Sequence, residues 1–215
     1  MITSINRHSY PNTLIVILGQ DHGRSEFDER ENVTRVTDDE GNLIGFNFFS
    51  VDKVLDYDKL PDGKVELNDD QLAALNKVLK DAGFDDTLTA GKPTIVYGKV
   101  VKCEPHPDSD HLHVTQVNVG TDKLQQIVCG APNVAEGQTV VVALPGALMP
   151  NGAQIWPGKL RGVESDGMIC AARELQLPHA EQKRGIMVLP AGFEAGNAYE
   201  PAKLDELLAS GQIKL

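Results

Sequence analysis

Cys103, His106, His111 and His113 form the densest group of metal-ligating side chains in the chain, and Cys103 and His106 have a spacing that zinc sites use. A closed zinc site needs a second pair of ligands, and Cys129 and Cys170 stand alone. Each cysteine ends an apolar run, where a free thiol packs as a small core side chain. An odd number of cysteines also gives no disulfide framework. The expectation is no metal and no other cofactor. Ser165 lies in Gly162-Val-Glu-Ser-Asp-Gly167, without the glycine two residues upstream that a nucleophile elbow requires. Gly152-Ala-Gln-Ile-Trp-Pro-Gly-Lys159 has one residue too many between its glycines for a phosphate-binding loop, and Leu160 replaces the Ser or Thr that would hold Mg²⁺. The carboxylate pairs Asp69-Asp70 and Asp85-Asp86 have the chemistry for general acid–base work. One pair sits where a helix should begin and the other in a turn-rich stretch, so the helix dipole and solvation account for both. No catalytic constellation remains, and the chain reads as a non-enzyme.

Positioning any surviving site falls to two predicted parts. The 215 residues suffice for two small domains, and 41% hydrophobic with 24% charged residues is an ordinary globular composition. The net charge is −11 and unevenly spread. Residues 1–90 hold 9 basic and 18 acidic residues, whereas 91–200 hold 9 and 11. In residues 1–90, Leu14–Leu18 reads as a buried strand. Val33–Thr37 and Leu43–Ser50 read as a hairpin around Asp38-Asp-Glu-Gly-Asn42. Asn68 with Gln71 gives a capping box for a helix whose apolar face is Leu72, Leu75 and Leu79, stopped at Gly83. Asp85–Pro93 is rich in turn formers, which puts a linker near residue 90. The second part has short β-type runs at Thr94–Cys103, His111–Val119, Leu124–Val128 and Thr139–Leu144, separated by Gly, Pro and Asn clusters, as in a barrel or sandwich. Gly167–Leu175 reads as a helical turn and Gly185–Leu189 as a further strand. No apolar run approaches the roughly 20 residues that span a bilayer, and Met1–Pro11 lacks the pattern of a signal peptide, so the expected compartment is the cytoplasm.

Four ordered stretches carry a family resemblance. They are Gly98-Lys-Val-Val-Lys-Cys-Glu-Pro-His-Pro-Asp-Ser-Asp-His-Leu112, Gln126-Ile-Val-Cys-Gly-Ala-Pro-Asn133, Val140-Val-Val-Ala-Leu-Pro-Gly-Ala147 and Lys159-Leu-Arg-Gly-Val-Glu-Ser-Asp-Gly-Met-Ile-Cys170. Arg173-Glu-Leu175 and Gly185-Ile-Met-Val-Leu-Pro190 extend them. Together they resemble the tRNA-binding domain of bacterial phenylalanine–tRNA ligase beta subunits, also found in methionine–tRNA ligase appendages and in small free-standing tRNA-binding proteins. An acidic domain of about 90 residues followed by this module resembles the stand-alone bacterial YtpR family.

The elements of residues 1–90 read as a small α+β domain, of unassigned role, and for residues 91–200 the resemblance implies a mainly β OB-fold, a five-stranded Greek-key barrel, with 201–215 as a short C-terminal segment. It implies tRNA as partner, with Asn133, Ser165 and Met168 on the RNA-facing surface, Lys159 and Arg161 toward phosphates, and Lys99 and Lys102 in an electrostatic track. At least one of Lys99 and Lys102 is exposed, because they alternate imperfectly with the core-facing Val100 and Val101. The residues have plainer readings beside these: Ser165 as a cap, Met168 as core, Asn133 as a turn former, and Lys159 and Arg161 as a solvated face. His111 stands where the family usually has lysine. With a net charge of −2, residues 91–200 have a thin electrostatic footprint for a nucleic-acid binder. A second function therefore stays open, that of an interaction module docking on a tRNA ligase or translation factor. A homodimer also stays open, since free-standing relatives of this module often pair.

Overall fold

The structure, a computed structural model, describes residues 1–213 and divides into two compact units, Met1–Lys92 and Pro93–Leu215. The first unit contains β1 (Ile2–Ile5), β2 (Leu14–Ile17), β3 (Ser25–Arg30), β4 (Val33–Asp38), β5 (Leu43–Phe48), β6 (Gly63–Lys64) and helix α1 (Asp69–Asp81). Its strands form one antiparallel sheet in the order β3-β4-β5-β2-β1-β6. The hairpin expected around residues 38–42 is β4–β5, and Asp38 shapes its turn by accepting from the Glu40 and Asn42 amides and from the Asn42 side chain. The Asn42 side chain, first among these donors, holds the Asp38 carboxyl below its ordinary value.

Helix α1 begins with the expected capping box: Asn68 Oδ1 accepts from the Gln71 amide at 2.9 Å, and Gln71 Oε1 accepts from the Asn68 amide at 2.9 Å. It ends in a Schellman motif, with the Gly83 amide on the Lys80 carbonyl and the Phe84 amide on the Leu79 carbonyl. Leu72, Leu75 and Leu79 are buried against Phe46, Phe48, Leu14 and Val16 of the sheet. Each fully buried leucine contributes about 1.5–3 kcal/mol of transfer free energy. The stretch after the helix is a packed strap rather than a free linker along its whole length. Phe84 and Leu88 enter the same core, the Asn76 amide group clasps the backbone of Leu88 in both directions, and Arg35 pairs with Asp86 at 2.9 Å. Turn-forming composition concealed this, because the anchoring groups lie on α1 and β4.

The second unit contains β7 (Ile95–Pro105), β8 (His113–Asn118), β9 (Gln125–Cys129), β10 (Thr139–Ala143), β11 (Ala147–Leu148), β12 (Gln154–Ile155), β13 (Gly158–Leu160), β14 (Val163–Ser165), β15 (Met168–Ile169) and helix α2 (Pro201–Ala209). Its main sheet has five strands in the order β15-β10-β7-β8-β9, all antiparallel. The two end strands lie beside each other, so the sheet curls into a nearly closed, OB-like barrel. Val100, Val117, Ile127, Val140 and Val142 fill its interior.

Two expectations change here. The predicted helical turn over 167–175 is strand β15 followed by turns at 172–176, because Met168 and Ile169 pair with Ala143 and Val142. The predicted strand 185–189 reduces to an isolated bridge from Leu189 to Thr139, since Asn133 takes over the backbone groups of Ile186. Helix α2 has no counterpart among the elements expected from the sequence. Pro201 opens it, Leu204 is fully buried in a second core with Tyr97, Val141 and Leu177, and Asp205 accepts from the His179 amide at 2.8 Å. Since each unit has a buried cluster of its own, residues 93–215 expressed alone are expected to unfold in one cooperative thermal transition. A fragment without a transition would contradict that division.

Candidate nucleic-acid interface

The outer face of the barrel owes its arrangement to a bulge. The pairing of β7 with β8 shifts between Val100 and Lys102, so Lys99 faces Asn118 and Lys102 faces Gln116 while Val101 is the extra residue. Without the bulge, Lys99 and Lys102 would point to opposite faces. With it, both are exposed on one face, and Val100 turns inward at 1% exposure. The row continues across the sheet. Gln116 pairs with Gln126, whose oxygen accepts from the Gln116 side chain at 2.8 Å, and Gln126 Nε2 donates to the Glu164 carbonyl at 2.9 Å. Lys159 lies beside Glu164 on the facing strand.

Lys159, Arg161 and Ser165 belong to a hairpin, β13–β14, that composition did not reveal. Its two-residue turn is Arg161-Gly162, with φ of 45° and 81°, the type I′ combination. Arginine is an uncommon residue at such a φ, so the usual Asn-Gly signal was missing. The hairpin is docked at its tip. His106 Nε2 donates to the Leu160 carbonyl at 3.1 Å, while His106 Nδ1 accepts from the Asp108 amide at 3.0 Å. Arg161 donates to the Asp108 carbonyl at 3.0 Å. Both ring nitrogens of His106 are thereby engaged, leaving neither for a metal.

Ser165 sits at the barrel seam. Its hydroxyl accepts from the Val128 amide of β9 at 3.1 Å, and the neighbouring Asp166 amide donates to the Gln126 carbonyl at 2.8 Å. Gln125 Nε2 donates to the Asp166 carbonyl at 2.6 Å. These bonds sew β14 to the free edge of β9. Gly167 follows with φ of 137°, and a Cβ there would lie 2.8 Å from the Ala143 carbonyl oxygen, so only glycine lets the chain turn back onto β10. Ser165→Ala would strand the Val128 amide and is expected to destabilise the second unit by about 1–3 kcal/mol. A melting temperature unchanged by this substitution would refute the stitch.

Asn133 is likewise a clamp. Its amide oxygen accepts from the Ile186 amide at 2.9 Å and its amide nitrogen donates to the Ile186 carbonyl at 3.0 Å. Gly185, at φ 137°, lies directly on the Asn133 side chain. Between the 129–132 loop and this 184–186 segment lies a cleft of about 300 Å³, with Met168 half-buried in its wall. Met168 thus lines the cleft, Asn133 and Ser165 stand behind its wall through their bonds to Ile186 and Val128, and Lys159 and Arg161 lie on the hairpin. Lys102 is linked to the hairpin through Gln116 and Gln126, and Lys99 shares its face one row away, opposite Asn118.

The electrostatics are muted. Lys159 pairs with Glu164 at 2.9 Å and Lys102 with Glu104 at 2.8 Å, all four side chains more than half exposed. Hydrogen bonding to Glu164, aided by its charge, raises the Lys159 ammonium above its ordinary value. Lys99 makes no ion pair among the described residues. Sequence reasoning passed over Arg173, Glu174 and Arg184, which line the cleft. Arg184 sits in a polar loop with no pattern to single it out. Cys129 and Cys170 are buried and Cys103 half-buried: desolvation raises Cys129 and pushes Cys170 up to about 12. No cluster of three or more His, Cys, Asp or Glu able to hold a metal occurs among the described residues.

The class is set by comparison of this barrel with known families. Residues 95–198 match the family described as "Putative tRNA binding domain", and residues 20–91 match a domain of unknown function. The chain is 41% identical over 199 residues to the "Putative tRNA-binding protein YtpR" of Bacillus subtilis (strain 168), covering 91% of this chain and 97% of that protein. The chain belongs to the YtpR family. It is also 49% identical over 118 residues to the phenylalanine–tRNA ligase beta subunit of Latilactobacillus sakei, covering 53% of this chain and 15% of the subunit. The Oceanobacillus iheyensis beta subunit is 51% identical over 120 residues, 53% of this chain and 14% of the subunit. The resemblance drawn from the four ordered stretches is thus borne out.

Proposed function

We propose that the protein is a non-catalytic tRNA-binding protein whose second unit, a Greek-key OB barrel, grips RNA by shape. Lys99, Lys102, Lys159 and Arg161 meet phosphates, Met168 makes an apolar contact, and Asn133 and Ser165 hold the loops that present them. Besides family membership, the observation that carries this reading is the barrel face that exposes Lys99 and Lys102, with Lys102 continued by the half-buried Gln116 and Gln126 to the hairpin of Lys159. A row of cations and amides on one barrel face is suited to tracking a backbone. The first unit, with its excess of acid, takes no part in RNA contact, and the compartment is the cytoplasm, where tRNA is used.

No helix among the described residues is long and apolar enough to cross a membrane. Homodimer formation and docking on a tRNA ligase or translation factor are additions the reading does not require. The test is a filter-binding titration of bulk tRNA against a DNA duplex at two salt concentrations. The expected result is preference for tRNA, weakening with salt along a shallow slope because few phosphates are gripped. Equal retention of both nucleic acids, or of neither at low salt, would overturn the proposal.

A further inference from the structure

The cleft beside Met168 has a composition that the phosphate-tracking row does not explain. Its floor is apolar, with Ile169 and Ile186 at 5% and 2% exposure. Arg173 and Arg184 line it, and Arg184 is exposed with no ion pair among the described residues. Glu174 lines it too. One of its carboxylate oxygens accepts from the Ala171 amide at 2.7 Å, which fixes the side chain, and a carboxylate has lone pairs to spare for a ligand. Arg173 is held in turn, donating to the Lys183 carbonyl and lying 3.8 Å from Glu174. The Asn133 clamp on Ile186 and the fixed turn at Gly185 anchor the backbone next to Arg184. Asn133 is in this sense a positioning residue.

We propose that this cleft seats a single nucleotide, with its base on the apolar floor against Met168, its phosphate on Arg184 and Arg173, and an exocyclic amine donating to Glu174. The volume, about 300 Å³, is at the lower end for small-molecule sites and has room for one nucleotide but not a base pair. Apolar floor, guanidinium rim and one carboxylate acceptor match the three parts of a nucleotide, whereas a bare anion would not need the floor and would be repelled by Glu174. The inference rests on the RNA reading for its biological ligand: an unpaired nucleotide splayed out of a loop, which is how proteins read RNA beyond its backbone. Adenine, guanine and cytosine have an exocyclic amine, and uracil does not.

The test uses the full chain and five probes: AMP, GMP, CMP, UMP and inorganic phosphate. Amide shifts are followed at Gly130, Ala171, Gly185 and Ile186, and bulk tRNA affinity is measured on the same samples. The expected result is millimolar-range saturable shifts at these amides for AMP, GMP and CMP, several-fold weaker for UMP, as the absence of one hydrogen bond dictates. Arg184→Ala, at an exposed position, should weaken both AMP and tRNA by about tenfold, the effect of removing one charge-assisted hydrogen bond. If inorganic phosphate reproduces the shifts with the affinity of the nucleotides, the cleft is a simple anion site and the proposal falls. If tRNA binds the wild type and Arg184→Ala equally and no nucleotide moves these amides, the proposal falls while the RNA reading stands. If nucleotides seat but tRNA does not bind, the cleft assignment stands and the RNA reading falls.

Discussion

Replacing Asn133 by alanine is expected to lower the stability of the second unit by about 2–6 kcal/mol, since an unsatisfied buried polar group costs about 1–3 kcal/mol and two are created. Those groups are the amide and carbonyl of Ile186, a residue 2% exposed, to which Asn133 donates and from which it accepts. A unit of this size should lose on the order of 10 °C in melting temperature. Asn133→Asp should fare little better, as it keeps the acceptor for the Ile186 amide but sets a carboxylate against the Ile186 carbonyl. Differential scanning calorimetry reads both. A loss of RNA affinity with an unchanged melting temperature would mean that Asn133 acts by touching RNA and not by clamping.

The second large effect is on binding. Lys159→Ala with Arg161→Ala should weaken tRNA binding about tenfold at low salt and reduce the salt slope by about 2, one unit for each phosphate no longer neutralised. The weakening should be alike for all tRNAs, because phosphate contacts carry no sequence information. Glu164→Gln provides the opposite sign. It frees Lys159 from a partner 2.9 Å away, so affinity and slope should both rise. The Lys159–Glu164 pair itself adds little stability, so Glu164→Gln should leave the melting temperature nearly unchanged, whereas the double variant also loses the Arg161 bond to the Asp108 carbonyl and should cost the second unit about 1 kcal/mol. Wild type and double variant binding tRNA equally would remove the hairpin from the interface.

What was legible in the sequence followed from local chemistry. The capping box at Asn68 and Gln71, the leucine face of α1, and the β7, β8, β9 and β10 runs are written in neighbouring residues, and the structure contains all of them. The four matching stretches pointed to the right family because several motifs at fixed spacing constrain one another. What stayed hidden depended on distant partners. Lys99 and Lys102 share a face only through the bulge at Val101, which pairing with β8 creates. The strand at Met168 and Ile169 exists because Val142 and Ala143 offer an edge. The hairpin turn at Arg161 lacks a turn signal, since its positive φ is imposed where His106 and Asp108 dock the tip. Helix α2 is short, and Leu204 finds its core in residues far upstream such as Tyr97 and Val141. The ligand-like spacing of Cys103 and His106 misleads for the same reason, as His106 spends both nitrogens on backbone groups.

The central claim is that RNA is held by the second unit alone, through the hairpin, the barrel row and the cleft. Amide shift mapping of the full chain, titrated with bulk tRNA at low salt, tests it most directly. The predicted perturbations fall at Lys99, Lys102, Gly130, residues 158–168 and residues 184–186, and Met1–Lys92 stays unmoved. Perturbations confined to Met1–Lys92, or spread evenly over both units, would contradict the claim.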